Sequence, residues 1–239
     1  MRNGNNINFT NFNALGNDSL FCIATDDSAW SILNWNNIPS HSFFSNYCSD
    51  YYTNIPDQGF EMQLIAKGYD YTIDRQVLTA NIVNIDSLNL SINPFASSSL
   101  TFIYDLSGIE DFSALVYLDC SDNLISFLDL NQNIALENLN CESNNILNLE
   151  LNQVSNLFKL NCSDNQVSYL DMSQNISLTE LNCSNNQISY LDLAQNNLLT
   201  NLNCQNNQLS YLDVSQDTAL TNLNCINNNL ASLEVTQNH

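Results

Sequence analysis

Six cysteines fall on one grid: Cys120, Cys141, Cys162, Cys183, Cys204 and Cys225 stand 21 residues apart. A thiol can ligate a metal, pair with another thiol, attack a substrate or fill space. Each use leaves a different trace in the residues around it. Zinc needs close pairs such as C-x-x-C with His or more Cys nearby; no such pair exists, and the chain has two His. A nucleophile needs an adjacent base, and no base repeats with the cysteine. Disulfides between stacked layers are compatible with a spacing of ~4.8 Å, but identically directed sulfurs would have to choose between equal neighbours. Packing remains, and free Cys is a compact hydrophobe that is usually buried. The six thiols are expected to be filler.

Nothing else along the chain assembles a catalytic set. No Ser-His-Asp order, phosphate-cradling Gly loop or His-rich metal site is present. The acidic pairs Asp26–Asp27 and Glu110–Asp111 read as turn or cap residues. The expectation is a protein without enzymatic activity, cofactor or metal.

The elements that carry the cysteines emerge when the sequence is read in columns. Leu115, Leu136, Leu157, Leu178, Leu199 and Leu220 stand five residues before each Cys, and Leu118 to Leu223 stand two before. Asn123, Asn144, Asn165, Asn186, Asn207 and Asn228 stand three after. Apolar columns follow from Ile125, Leu128 and Leu130. The unit is L-x-x-L-x-C-x-x-N-x-[LIV]-x-x-L-[DE]-[LMV]-x-Q. One such unit cannot bury its apolar face, whereas stacked units share a continuous core. In L-x-L-x-C the period of two sends Leu and Cys inward. The Asn column belongs at a tight bend, where its amide satisfies backbone groups. The Gln column, Gln132 to Gln237, is expected to do the same at the opposite bend. Gly and Pro are scarce, so Asn is expected to take left-handed turn positions.

The unit resembles the leucine-rich repeat, L-x-x-L-x-L-x-x-N/C-x-L, with Cys at the third core position. It looks most like the short, 21-residue cysteine-ladder subclass of internalin-like secreted or surface proteins of bacteria. The resemblance implies an α/β solenoid, a right-handed superhelix that is mostly β with short loops and one helical cap. It also implies that a protein partner binds the concave strand face. There Tyr117, Asn138, Lys159, Glu180, Asn201 and Asn222 alternate with Asp119, Asn140, Asn161, Asn182, Asn203 and Asn224. A second outward stripe, Phe127, Asn148, Tyr169, Tyr190, Tyr211 and Ser232 beside Asp129, Glu150, Asp171, Asp192, Asp213 and Glu234, offers an alternative face for a glycan or a basic protein. One carboxylate per layer in a straight row is poor geometry for calcium. The other alternative is a passive stalk between other domains.

Residues 113–239 form the array of six units. Residues 51–112 read as a helix-containing cap ahead of it: Pro56 suits a helix start, Phe60, Leu64 and Ile65 share a face, and Gly68 ends it. "SLNLS" at 87–91 reads as a first degenerate strand. Residues 1–50 resemble the closing cap of a preceding array, with Asp26 and Asp27 capping a turn and Trp35, Phe43 and Phe44 sealing an apolar end. Cys22 and Cys48 lie off the grid and are either a disulfide, which would indicate an oxidising compartment, or two free thiols. Both chain ends fall within what looks like a unit, so the expectation is a monomeric fragment of a longer, secreted or surface-exposed protein.

Composition narrows the partners. With 25 Asp and Glu against 4 Lys and Arg, the net charge is −21. Phosphate neutralisation needs clustered cations, so nucleic acid is excluded as a partner, and anionic membrane surfaces are disfavoured. No apolar run reaches membrane-spanning length.

Overall fold

The computed structural model describes residues 11–17, 20, 22–40, 42–45, 51–92 and 102–235. The chain divides into two compact units, Met1–Thr53 and Asn54–His239.

In the first unit, strands β1 (Cys22–Ala24) and β2 (Phe43–Ser45) pair in parallel with Cys22 opposite Phe43. That register step is the 21 residues of the array. Between them lies helix α1 (Ser28–Asn34), longer than the turn expected there. Asp27 caps it by accepting from the Trp30 N–H at 2.9 Å. Trp35 and Phe44 are buried with Ile23, and the Phe12 ring stacks on Trp35 with centroids 4.7 Å apart. Cys22 is disulfide-bonded; Cys48 lies outside the described residues.

Strand β3 (Tyr52–Asn54) leads to helix α2 (Gln58–Ala66), strand β4 (Gln76–Leu78) and helix α3 (Thr79–Ile82). Asp57 is the N-cap of α2: its Oδ1 accepts from Phe60 N at 2.9 Å. Its Oδ2 accepts from Tyr104 N at 3.0 Å and Asp105 N at 3.2 Å, tying the helix to a segment far along the chain. Gly68, at φ 79, ends the helix. Its N–H reaches Ile65 O while Tyr69 N–H reaches Leu64 O, each at 2.9 Å, the paired bonds of a Schellman turn. Phe60 and Leu64 are fully buried and Ile65 is half-buried. The Phe60 ring packs on Phe112, closing the core in front of the first regular coil.

The array follows as strands β5 (Ser87–Asn89), β6 (Tyr117–Asp119), β7 (Asn138–Asn140), β8 (Lys159–Asn161), β9 (Glu180–Asn182), β10 (Asn201–Asn203), β11 (Tyr211–Asp213), β12 (Asn222–Asn224) and β13 (Ser232–Glu234). Seven of them form one sheet in the order β12-β10-β9-β8-β7-β6-β5. All neighbours are parallel, with Leu opposite Leu at every centre. The second extended run pairs as β11 with β13 and through a bridge between Leu128 and Leu149.

Two bends hold each coil, and they differ from expectation in instructive ways. At the first, Asn144 donates from Nδ2 to the carbonyls of Cys120, Cys141 and Glu142 at 3.0, 3.1 and 3.1 Å. Its Oδ1 accepts from Ile125 N at 2.9 Å. Asn123, Asn165, Asn186, Asn207 and Asn228 repeat this pattern. The left-handed residue is the one before: Asp122, Ser143, Asp164, Asn185, Asn206 and Asn227 have φ between 53 and 55. Asn fills that turn in half of the coils, and Asp or Ser serves elsewhere because a short polar side chain tolerates it.

At the second bend the expected Gln column is exposed as far as it is described: Gln132, Gln153, Gln174, Gln195 and Gln216 point outward, and Gln237 lies outside the described residues. The buried column is one residue later. Asn133 donates to Ile109 O at 2.8 Å, Asn175 to Val154 O at 2.9 Å and Asn196 to Asn175 O at 2.9 Å. A flexible Gln has more side-chain entropy to lose than Asn on burial, and the shorter amide reaches the neighbouring coil directly. The carbonyl oxygens of these Asn have no hydrogen-bond partner among the described residues, and Val154 stands in the same column in one coil.

Candidate functional site

The strand face expected to bind a partner forms a groove of about 880 Å³. Eleven of the twelve expected residues line it: Tyr117, Asn138, Asn140, Lys159, Asn161, Glu180, Asn182, Asn201, Asn203, Asn222 and Asn224. Asp119, the twelfth, is buried.

The two columns differ chemically. The column nearer the Asn bend is largely committed to the fold. Asp119 Oδ1 accepts from Ser121 N and Oγ at 3.1 and 2.7 Å and from Asn140 Nδ2 at 3.1 Å. Asn161 bridges coils, donating to Glu142 Oε2 at 2.7 Å while accepting from Ser163 Oγ at 2.7 Å. Asn182 and Asn224 likewise donate to Ser163 Oγ and Gln205 Oε1, and Asn203 accepts from Gln205 N. These bonds shape the loop after each strand.

The other column carries the varied chemistry. Lys159 Nζ lies 2.8 Å from Glu180 Oε1, with both side chains about half exposed. An exposed pair contributes little to stability, so both groups can be recruited at small cost. Tyr117 is exposed, and its hydroxyl lies 3.5 Å from Asp119 Oδ2. Burial, then the charge of Asp119, holds that phenol above its ordinary pKa, so it remains a donor. Asn222 Nδ2 donates to Asn201 Oδ1 at 2.6 Å.

The cysteines stay out of this face. Cys120, Cys141, Cys162, Cys183 and Cys204 are fully buried and Cys225 is half-buried; all six are free thiols. Burial pushes Cys162 to about 12 and, with help from Cys225, Cys204 to about 12. It raises Cys120, Cys141 and Cys183 as well. The thiolate is the reactive form, and a neutral solution contains almost none of it.

The second stripe is also exposed: Phe127, Tyr169, Tyr190 and Tyr211 are all solvent-facing. Its carboxylates turn to the backbone: Asp129, Asp171, Asp192 and Asp213 each accept from the N–H two residues on, at 2.8–3.0 Å. Bonds from Ser173 and Ser215 hold Asp171 and Asp213 below the ordinary carboxylate pKa. Sequence reading missed one acidic group, Glu61 with Asp70 and Asp74, although D-x-T-x-D at 70–74 was a visible signal. Among the described residues no helix is long and apolar enough to cross a membrane.

Stacked parallel strands on a 21-residue step, a Leu and Cys interior and an Asn spine define a leucine-rich-repeat solenoid, mostly strand. Solved structures of that class are similar to it. An internalin, InlF, of Listeria monocytogenes covers 76% of this chain and 63% of its own at 18% identity and a TM-score of 0.61. A leucine-rich-repeat protein of Leptospira interrogans covers 56% of this chain and 39% of its own at 27% identity and a TM-score of 0.50. The functional domain of InlJ of Listeria monocytogenes, which includes a cysteine ladder, aligns over 78% of this chain and 51% of its own at 27% identity and a TM-score of 0.47. The chain thus spans less than two thirds of each of these three. No family model matches it, and no curated protein is a significant match.

Proposed function

We propose that the array is a non-catalytic recognition module of a secreted or surface-exposed bacterial protein, which binds a protein partner through the grooved strand face. The observation that carries this is the groove of about 880 Å³ with Tyr117, Lys159 and Glu180 on its floor. Curved repeat arrays use such extended faces for binding. Tyr supplies a rigid amphipathic anchor of the kind that dominates interface energetics. The weakly held Lys159–Glu180 pair supplies one charge of each sign in an otherwise amide-lined surface. No residue set for acid–base or nucleophilic chemistry lies in the groove, so binding is the function its chemistry supports.

A second reading has its own observation. Outward amides pair with one another along the array, Asn206 to Asn185 at 2.5 Å and Asn227 to Asn206 at 2.7 Å. Such amides stiffen the stack and suit a spacer. One experiment separates the two. The chain and its Tyr117→Ala/Lys159→Ala/Glu180→Ala variant are immobilised and challenged with candidate host or bacterial surface extracts. A recognition module retains a specific protein that the triple variant releases. A spacer retains nothing, or retains the same proteins in both forms.

A further inference from the structure

We propose that the cap ahead of the array holds a calcium ion between the carboxylates of Glu61, Asp70 and Asp74. One oxygen from each lies within 4.8 Å of the others. Glu61 is fully buried and Asp70 is 9% exposed. Each has one oxygen, Glu61 Oε2 and Asp70 Oδ2, with no hydrogen-bond partner among the described residues. Their other oxygens are engaged: Glu61 Oε1 accepts from Asp74 N at 2.7 Å and from Arg75 N, and Asp70 Oδ1 accepts from Tyr71 N at 2.8 Å. Among the described residues no lysine or arginine forms an ion pair with the group, the salt bridge there being Lys159–Glu180. Buried carboxylates are paired or ligate a metal, and here pairing is absent.

The donor set selects the ion. It is all oxygen, which suits a hard cation and disfavours zinc or copper. Asp70, Thr72 and Asp74 alternate along the loop like the first, third and fifth positions of a calcium-binding loop. Arg75 takes the left-handed turn, φ 67, where such loops hold glycine. Their twelfth-position glutamate is replaced by Asn81, whose amide bonds Tyr69 O at 3.0 Å. Glu61 of the preceding helix brings the missing carboxylate from the other side. Calcium there would clamp α2 to the loop before β4. The few ligands place its affinity in the range of extracellular modules, a Kd of about 10⁻⁴–10⁻³ M.

The test uses the full 239-residue chain, freed of divalent ions with EDTA. It is melted in rising CaCl₂ or MgCl₂ and titrated with Tb³⁺, whose luminescence Tyr69 and Tyr71 would sensitise. At a hundredfold excess over Kd, calcium should raise Tm by roughly 5–10 °C. Asp74→Asn, at an exposed position, should weaken binding at least tenfold, and Glu61→Gln should abolish it. If Glu61→Gln fails to fold, Asp74→Asn decides. A wild-type Tm indifferent to calcium, an equal response to magnesium, or an undiminished response in Asp74→Asn overturns the proposal.

Discussion

Asn144 shows what a single side chain does here. Its amide serves four backbone groups in two coils, so it holds both the bend and the stacking. Asn144→Ala leaves buried donors and acceptors unmatched at about 1–3 kcal/mol each; partial compensation sets the expected loss at about 2–4 kcal/mol in urea unfolding. Asp217 is the opposite case. It occupies the column in which Asn175 and Asn196 donate to carbonyls, but an ionised carboxylate has no proton to give. It is buried, its Oδ1 has no partner, and burial with the Asp213 charge raises its pKa to about 6. Between the unfolded value near 4 and about 6, the folded chain binds the extra proton. Stability from this group therefore falls as pH rises across that window and stays low above it. Asp171 and Asp213 carry the opposite sign: their folded values are lowered, so their contribution is lost as pH falls below the unfolded value. Asp217→Asn should flatten the decline between about pH 4 and 6 and stabilise the neutral protein by about 1–3 kcal/mol, leaving the acid limb intact. Urea midpoints measured across pH for both proteins check this.

At the level of elements, the strands were legible because the period of two and the 21-residue repeat agree: Leu118, Leu139 and Leu160 could face only inward. The helix of the cap was legible from Pro56, its apolar face and Gly68, and the true cap residue proved to be Asp57. The second bend was misread. Gln132 and Asn133 are adjacent amides, and the Gln column is the more regular of the two, since Val154 and Asp217 interrupt the other; only the turn geometry decides which one points inward. The commitment of Asn161 and Asn182 to loop hydrogen bonds was equally invisible, since a surface amide and a bonded one look alike in a sequence. Asp57 is the element-scale test. Its two oxygens cap α2 and fasten residues 104–105. Asp57→Ala should destabilise by about 1–3 kcal/mol. It should also raise hydrogen exchange in α2 before the array strands respond.

Across the whole molecule, the fold could be read from six aligned units, while a partner could not, because no stacking rule constrains the single outward residues. Lys159 and Glu180 interrupt a run of Asn, and their meeting depended on the parallel register of β8 and β9. The acidic group of the cap was half visible: D-x-T-x-D stands in the sequence at 70–74, whereas Glu61 joins it only because the fold brings helix α2 against that loop.

The Asn spine has one more implication. Each amide reaches only its own coil and the one before it, so no bond depends on how many coils there are. Excising Ser163 through Cys183 joins Cys162 to Ser184 in phase, and the shortened chain should still melt cooperatively, at a lower temperature, with unchanged far-UV signal per residue. Such a chain is a ruler graduated in units of one duplication. Unequal recombination between near-identical coding segments could lengthen or trim its reach by ~4.8 Å at a time without any new invention in the interior.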